Sequence, residues 1–514
     1  MRGKGIPKLF SAELEGIQAN LIEVEADINV GLHSFNIVGL ADKAVSEAKE
    51  RVNSALKNSG IKPPTKENRR ITINLAPADI KKAGSRFDLP IALAYLLASE
   101  QLQQFETAHA LFVGELSLDG TLRPVNGALN IALLAKRRGF KELYLPAQNA
   151  AEAAIVPQLK IFPVTTLREL MEHLESIHLI PPVSHMPGLT SALPPSLFSL
   201  SEVKGQDHAK RALLVAAAGG HNVLMSGPPG TGKTMLAQAF ASILPTPTLE
   251  EAIEITEIWS AAGLTGSTPI IAWRPFRAPH HSASAVAILG GGTNPRPGEV
   301  SLAHRGVLFL DEMPEFHRDV LEGLRQPLED GSIHIARAKE ALVFPARFTL
   351  LASMNPCPCG YFEDPEKECR CTAHEIFRYQ KKASGPLLDR IDIQLEIPRL
   401  SVATLRATPE IKNDADFRSR VKSARGIQHN RFAHTRPHIW SNSEMSSKQT
   451  DLLVVLDAPA ETFLKQALEK AFISPRAYYR TLKVARTIAD LDGSECITKN
   501  HLAEALQYRL KISE

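Results

Sequence analysis

The first third of the chain alternates strand-like runs with helical runs. In residues 21–28 and 69–77, β-branched side chains stand at every second position, which is the period of a half-buried strand. Between these runs, apolar residues recur at helical spacing over residues 44–56. Residues 111–125 predict a hairpin that turns at an Asp-Gly pair. These patterns predict an α/β domain over residues 1–180.

Two changes in the pattern divide the rest of the chain. Residues 181–195 contain five prolines without a helical or strand period. Because proline fixes φ and lacks a donor, this segment is typical of a semi-rigid linker. Strand-like and helical runs resume over residues 196–400, and long helical patterns follow over residues 401–514. A chain of 514 residues suits the three domains that this division predicts.

The strongest motif is G-x-x-x-x-G-K-T, between an apolar run and a helical run. This strand–loop–helix context favours a P-loop over a chance glycine-rich turn. Backbone N–H groups of such a loop surround phosphates at the N-terminus of the helix, the lysine reaches the β- and γ-phosphates, and the threonine hydroxyl ligates Mg²⁺. The residues expected to bind ATP are Gly227, Pro228, Pro229, Gly230, Thr231, Gly232, Lys233 and Thr234.

Two further apolar runs end in polar residues suited to ATP hydrolysis. Residues 307–310 predict a strand buried on both faces. Asp311 at its carboxyl end is placed to hold Mg²⁺, and Glu312 is placed to polarise the attacking water. The run over residues 348–355 ends in Asn355, which could orient the same water or merely form a turn.

Four of the five cysteines lie in one short segment with the spacing C-x-C-x₉-C-x-C. Two close pairs joined by a loop can bring together the four soft ligands of tetrahedral zinc. The alternative is a set of reduced thiols without a metal. The residues predicted to bind Zn²⁺ are Cys357, Cys359, Cys369 and Cys371.

The charge of the chain is nearly balanced overall but not locally. The 59 Lys and Arg residues nearly balance the 56 Asp and Glu residues, so any basic surface must be local. Residues 399–440 hold nine basic against three acidic residues. This cluster indicates phosphate contacts of a nucleic acid, or else a solvated helix face. Its helical part contains Arg418, Arg420, Lys422, Arg425 and Arg431.

Nothing in the chain predicts a membrane or secreted protein. No stretch approaches the roughly 18 consecutive apolar residues of a membrane span, and the first 16 residues lack the apolar core of a signal peptide. Five cysteines in so long a chain exclude a disulfide scaffold. We therefore expect a cytoplasmic protein without a membrane partner.

The three strand ends, in this order, resemble those of AAA+ ATPases. Long segments resemble the magnesium chelatase-like group of that superfamily, among them FRAPHHSASAVAILGGG, NPCPCGYF and SGPLLDRIDIQLEIP. The segment SPRAYYRTLKVARTIADLDG resembles the C-terminal lid of that group. In the first third, FNIVGLADKAVSEAKERVNSALKNSG and VGELSLDGTLRPVNG resemble the N-terminal domain of the ComM/YifB family. By this resemblance, which covers essentially the whole chain, the protein is identified as a member of that family.

The resemblance implies roles for residues outside the P-loop. Arg390 matches the arginine that AAA+ proteins insert into a neighbour's nucleotide site, and Arg476 matches the lid arginine that senses the γ-phosphate. Each could instead be an ordinary salt-bridging arginine. Residues 331–348 resemble a hairpin that points into the pore of the ring. Its expected DNA contacts are His334, Arg337 and Lys339.

The N-terminal domain also resembles the proteolytic domain of Lon, which uses a Ser–Lys dyad. Alignment of the motifs places Asp88 at the serine position and Asn130 at the lysine position, with Ser85 nearby but displaced. Without the lysine there is no base to activate a nucleophile. We expect a fold retained without its protease.

The expected fold class is α/β, with a Lon-protease-like N-terminal domain, a central AAA+ P-loop parallel sheet and a C-terminal helical lid. The resemblance implies a ring-forming ATPase, expected to be a hexamer, that uses ATP and Mg²⁺ to translocate on single-stranded or branched DNA without reading its sequence. It further implies branch migration during natural transformation, with recombination proteins as possible partners. The alternatives are a metal-insertion motor like the magnesium chelatase ATPase subunit, which lacks this N-terminal extension, and an ATP-dependent protease, which the missing dyad disfavours.

Overall fold

A computed structural model describes residues 7–66, 68–184, 198–266, 268–292, 295–335, 341–383, 385–401, 404, 414–435, 439–471 and 474–509. Most of the predicted linker lies outside these residues, as do Arg337 and Lys339. The chain forms two compact units. The first contains Met1–Thr190, Leu249–Ile271 and Pro295–Pro297, and the second contains the remaining residues.

The first unit is an α/β structure around a mixed sheet. Its strands are β1 Lys8–Glu15, β2 Gln18–Val30, β3 Ser34–Val38, β4 Arg69–Ala76, β5 Ala110–Phe112, β6 Glu115–Leu116, β7 Leu122–Arg123, β8 Glu142–Pro146, β9 Lys160–Val164 and, further along the chain, β13 Arg296–Pro297. Its helices are α1 Lys43–Ser46, α2 Ala48–Asn58, α3 Asp88–Ala98, α4 Ala128–Arg137, α5 Ala150–Ala153, α6 Leu167–Leu174 and α9 Leu249–Ala262. Two 3₁₀ turns lie at Pro64–Lys66 and Ala147–Asn149.

The seven strands of this sheet follow the order β3-β4-β2-β1-β5-β8-β9. β2 is antiparallel to both of its neighbours, so that Glu23 lies opposite Phe10 on one side and Ala76 on the other. The remaining pairs are parallel. In β4, Ile71, Ile73 and Leu75 are buried while the residues between them are partly exposed, which confirms the predicted strand period. The predicted hairpin is formed by β6 and β7.

Helix α9 belongs to the first unit, although it follows the P-loop in sequence. Its buried face includes Ala252, which shares an apolar core with α4. The carbonyl of Ser260 accepts a 2.9 Å hydrogen bond from the N–H of Gly127, the residue that precedes α4. The predicted division placed residues 249–271 in the central domain. The apolar face of α9 instead pairs this insertion with the N-terminal unit.

The second unit contains a five-stranded, fully parallel sheet of order β11-β14-β17-β10-β18. The strands of the unit are β10 Val223–Ser226, β11 Phe276–Arg277, β12 Gly290–Gly291, β14 Val307–Leu310, β15 Ser332–Ile335, β16 Leu342–Pro345, β17 Thr349–Met354 and β18 Ile393–Glu396. β15 and β16 pair antiparallel, as the hairpin predicted there requires. The central P-loop parallel sheet expected from the sequence is therefore present.

Helices surround this sheet and fill the C-terminal part of the unit. Those before β18 are α7 Asp207–Gly219, α8 Lys233–Ser242, α10 Ala285–Leu289, α11 Glu299–Leu302, α12 Arg318–Gly323, α13 Arg325–Asp330, α14 Ala373–Lys382 and α15 Gly385–Leu388. The C-terminal helices are α16 Asp414–Phe432, α17 Ser447–Leu453, α18 Ala458–Ala471, α19 Pro475–Leu491 and α20 Lys499–Gln507, with 3₁₀ turns at Met313–Glu315 and Asn442–Glu444. The helical C-terminal region shares one apolar core with β10 and α8, through residues such as Leu482, Val223 and Phe240. Among the described helices, none is both long and apolar enough to cross a membrane.

Candidate nucleotide-binding site

The P-loop joins β10 to α8. β10 ends at Ser226 and α8 begins at Lys233, so the predicted strand–loop–helix context is present. Gly232, the residue before the helix, has φ of +88°, a left-handed conformation that glycine adopts without steric cost. The free N–H groups of the first turn of α8 consequently lie beside the loop, as phosphate binding requires.

The side chain of Lys233 lies at the centre of the loop. Its Nζ donates to the carbonyl oxygens of Gly227 at 2.6 Å and Pro228 at 2.8 Å, and to Oδ1 of Asn355 at 3.2 Å. Burial lowers the pKa of Lys233, while the nearby charges of Asp311 and Glu312 oppose this shift. The loop therefore holds one cation within a cluster of oxygen atoms, and it brings together Lys233 and the predicted water-orienting Asn355.

The carboxylate of Asp311 connects two strand ends. Oγ1 of Thr234 donates to Oδ2 of Asp311 at 2.9 Å, while the hydroxyl of Ser353 donates to the other oxygen, Oδ1. The same hydroxyl of Ser353 accepts the backbone N–H of Glu312 at 3.1 Å. Glu312 itself has φ of +52°, and its side chain is exposed directly after the buried strand β14.

This arrangement fits the predicted chemistry. A hydroxyl and a carboxylate converge at Thr234 and Asp311, and oxygen atoms are the ligands that Mg²⁺ prefers. These two residues would hold the ion, whose positive charge would offset the negative charge of the phosphates of a bound nucleotide. Ser353 was not anticipated from the sequence. The signal that could have found it is a hydroxyl residue within the apolar run 348–355, two positions before Asn355.

The two predicted arginines lie on other elements. Arg390 stands between α15 and β18, where its guanidinium forms an ion pair with Glu329 of α13 and its side chain is 12% exposed. Its carbonyl accepts a 3.0 Å hydrogen bond from the side chain of Asn222. Arg476 is exposed in the first turn of α19, after Ser474, whose side chain caps the helix. Their roles in a neighbour's site and in the lid stay predictions.

The four cysteines of the predicted zinc motif meet in one cluster. All four Sγ atoms lie within 4.8 Å of one another, and the three pairs among Cys357, Cys359 and Cys369 are 3.3, 3.6 and 3.7 Å apart. A tetrahedral zinc with Zn–S bonds of about 2.3 Å would separate its sulfurs by about 3.8 Å. Backbone N–H groups of Arg370 and Tyr361 lower the pKa of Cys359 to about 6, whereas burial and the neighbouring cysteines raise the pKa of Cys369 and of Cys371. The cluster therefore fits a zinc ion.

The predicted basic cluster on α16 divides into two sets. Lys422 is exposed, and Arg418 and Arg420 are partly exposed. Arg425 and Arg431 instead make internal contacts. Arg425 donates to the carbonyl of Ala217 at 3.0 Å, and Arg431 pairs with the fully buried carboxylate of Asp490. The long side chains of these last two reach polar groups of neighbouring helices, which disfavours the DNA contacts predicted for them.

The predicted remnants of a protease site lie in the first unit. Asp88 is fully buried and receives two hydrogen bonds from Arg51, at 2.7 and 2.9 Å. Burial raises the pKa of Asp88 to about 6, although the charge of Arg51 opposes the shift. Asn130 donates to the carbonyl of Ile17 at 2.7 Å, and Ser85 donates to the carboxylate of Glu115. Asp88 is thus paired with an arginine rather than with a lysine base.

The chain is similar to known proteins along its whole length. Family models described as "Magnesium chelatase, subunit ChlI", "Subunit ChlI of Mg-chelatase" and "Magnesium chelatase, subunit ChlI C-terminal" match residues 199–405, 24–149 and 412–509. The chain is 44% identical to competence protein ComM of Haemophilus influenzae over 98% of this chain and 97% of that protein. It is 43% identical to YifB of Escherichia coli over 96% and 95% of the two chains. A Lon protease of Chloroflexus aurantiacus is 29% identical over 34% of this chain and 22% of its own length. The chain belongs to the ComM/YifB family, whose magnesium chelatase-like AAA+ ATPase architecture supports ATP hydrolysis with Mg²⁺.

Proposed function

We propose that this protein is a ring-forming AAA+ ATPase that translocates on DNA and drives branch migration of recombining strands. The observation that supports the proposal is a P-loop whose Thr234 meets Asp311, in a chain 44% identical, over 98% of its length, to a protein named for competence. Competence and recombination both require strands of DNA to be moved. Hydrolysis of ATP at this site would supply the free energy for that movement.

Each residue of the site would have a separate role in ATP hydrolysis. Lys233 would bind the β- and γ-phosphates, and Thr234 and Asp311 would hold Mg²⁺. Glu312, exposed beside Asp311, would accept a proton from the attacking water. Asn355, 3.2 Å from Lys233 Nζ, would orient the same water. Because Ser353 fixes both Asp311 and the backbone of Glu312, these two groups would act as one unit.

DNA would contact the second unit through its exposed cations. His334 is exposed on strand β15 of the hairpin, and the two hairpin cations, Arg337 and Lys339, lie outside the described residues. Lys422 is exposed on α16, with Arg420 partly exposed beside it. Such groups contact phosphates without reading bases, which suits a motor that moves along any sequence. We therefore expect binding that is promoted by ATP and weakened by salt.

Ring assembly would complete each ATP site. An arginine from a neighbouring subunit stabilises the transferred phosphoryl group in AAA+ proteins, and Arg390 holds the matching position. A hexamer is the assembly that we expect. Zinc at the four cysteines and contacts with recombination proteins belong to the same proposal.

The deciding experiment measures ATP hydrolysis with no DNA, single-stranded DNA, duplex DNA and a four-way junction, alongside branch migration of that junction. We expect stimulation by DNA and ATP-dependent strand exchange at the junction. Hydrolysis that no DNA changes, together with absent or salt-insensitive binding, would instead favour a metal-insertion motor, which the names of the matching family models suggest. ATP-stimulated cleavage of an unfolded protein, lost on Ser85→Ala, would favour a protease.

A further inference from the structure

The segment that carries the four cysteines begins within the ATP site. Its first residue, Asn355, accepts a hydrogen bond from Lys233, and Cys357 follows two positions later, fully buried. Residues 355–371, which we name the cysteine loop, end just before α14. The side chain of Gln380 in α14 donates to the carbonyl of Pro356 at 3.0 Å and holds the start of the loop.

The cysteine loop also approaches the P-loop directly. At Gly360 the backbone has φ of +84°, and a Cβ there would lie 2.6 Å from Cδ of Pro229. Any side chain at position 360 would therefore displace either the P-loop or the cysteine loop. The N–H of Gly360 donates to the carbonyl of Cys357 at 3.0 Å, so that the close approach belongs to a turn that contains the predicted metal ligands Cys357 and Cys359.

A third contact joins the middle of the cysteine loop to the segment that follows β18. Nε of Arg399 donates to Oδ2 of Asp364 at 2.7 Å, and the carboxylate of Asp364 is fully buried. The guanidinium of Arg399 also lies 5.6 Å from the centre of the Tyr361 ring. Two residues before Arg399, the N–H of Ile397 donates to the carbonyl of Ser226, the last residue of β10. The cysteine loop thus contacts the same short segment whose Ile397 binds Ser226, the residue before the P-loop.

We propose that the cysteine loop is a metal-dependent brace for the P-loop, so that zinc bound by the four thiolates strengthens the binding of nucleotide. The four sulfurs are contributed from both ends of the loop, and closing them on one ion fixes Gly360 against Pro229 and Asn355 beside Lys233. Without the ion, no metal–sulfur bonds hold together the four thiols, whose sulfurs all lie within 4.8 Å of one another. Because binding free energies are coupled reciprocally, nucleotide also strengthens the binding of zinc.

The test uses the full chain and measures zinc content and the Kd of a fluorescent ADP analogue. Cys369→Ser with Cys371→Ser should remove the zinc and raise the Kd on the order of tenfold. Cys496→Ser, outside the cluster, is the control and should retain both zinc and affinity. Competition with a chelator should show that zinc is held more tightly, by the same factor, when the analogue is bound.

A second variant separates the brace from folding of the metal site. Gly360→Ala keeps all four ligands and should keep one zinc per chain, but it should raise the Kd by a similar factor because of the clash with Pro229. Its control is Gly493→Ala, which also has a positive φ (+68°) but has no atom within 4 Å of the added Cβ. An unchanged Kd in Gly360→Ala or in zinc-free protein would overturn the brace, and so would purified protein that neither contains nor takes up zinc. Neither readout uses DNA, so failure of the DNA-motor proposal would leave this result unaffected.

Discussion

Thr234 and Asp311 are 77 positions apart in sequence, yet Oγ1 of the threonine donates to Oδ2 of the aspartate at 2.9 Å. The contact exists because β10 and β14 are both parallel neighbours of β17, so that the loops after them emerge at the same edge of the sheet. A hydroxyl and a carboxylate meeting at that edge provide the oxygen ligands that a magnesium ion needs.

Substitutions at Lys233 and Glu312 should separate nucleotide binding from hydrolysis. Lys233→Ala removes the cation of the P-loop and should prevent productive binding of ATP. Glu312→Gln retains the loop but cannot accept a proton, so it should bind ATP normally and lose about 10²-fold or more in turnover. Steady-state hydrolysis and equilibrium binding of an ATP analogue measure the two effects. Turnover at the wild-type rate in Glu312→Gln would show that another group activates the water.

Ser353→Ala should lower kcat more than it changes the affinity for nucleotide. The hydroxyl binds the carboxylate of Asp311 and the backbone N–H of Glu312, and both hydrogen bonds are lost in alanine. We expect a decrease in kcat on the order of tenfold, corresponding to about 1.4 kcal/mol. Ser353→Thr, which keeps the hydroxyl, is the matched control. Equal kcat values for the alanine and threonine variants would exclude this positioning role.

Sequence patterns predicted the elements of the central sheet better than the division of the chain into compact units. The apolar runs before Asp311 and Asn355 are buried central strands, as their lack of alternation indicated. The assignment of α9 to the first unit could not be predicted from its own pattern. An amphipathic helix has an apolar face wherever it packs, and the partner of that face, α4, is more than 100 positions away.

The partners of individual side chains could not be predicted from the sequence either. The charge count identified a basic helix but could not separate Lys422, which is exposed, from Arg431, which pairs with a buried carboxylate. A long side chain reaches partners that no local spacing reveals. The cluster of four cysteines, in contrast, could be predicted, because metal ligands follow a short spacing along the chain.

Arg390→Ala should abolish turnover in a pure assembly while leaving ATP binding close to normal. If this arginine acts in the site of a neighbouring subunit, mixtures with Lys233→Ala should recover part of the activity, since each subunit supplies what the other lacks. Hydrolysis measured across a series of mixing ratios gives the test. Activity that never exceeds that of either variant alone would exclude action between subunits. Arg390→Ala also breaks the ion pair with Glu329. Glu329→Gln breaks the same ion pair but keeps the arginine, and it is therefore the control.

The stability of the first unit should depend on the protonation of Asp88. Its pKa is raised by burial to about 6 from an ordinary value of 3.8, so the folded state binds this proton more tightly than the unfolded state. The resulting stabilisation is fully present below about pH 4 and is lost as the pH rises through 6, by roughly 3 kcal/mol in total. Asp88→Asn should remove this part of the pH dependence. Thermal unfolding of both proteins between pH 4.5 and 7.5 measures it, and parallel curves would contradict the assignment.

Lys422, which is exposed, and Arg420, which is partly exposed, should set the affinity for DNA without contributing to stability. Arg420→Ala with Lys422→Ala removes two expected phosphate contacts, and should weaken binding to duplex DNA equally for all sequences. Each lost contact should reduce the slope of log K against log salt concentration by about 1. Filter binding across a salt series measures the slope, and thermal unfolding should be unchanged.

Arg431→Ala on the same helix is the matched control, because it removes the same charge from a position that faces the interior. Its guanidinium binds the carboxylate of Asp490, which is fully buried, and the side-chain oxygen of Asn442. Loss of these hydrogen bonds should destabilise the second unit by roughly 2 kcal/mol while leaving the salt slope at the wild-type value. A slope that falls in Arg431→Ala but not in the double variant would contradict this assignment, because it would show that Arg431, rather than Arg420 and Lys422, contacts the phosphates.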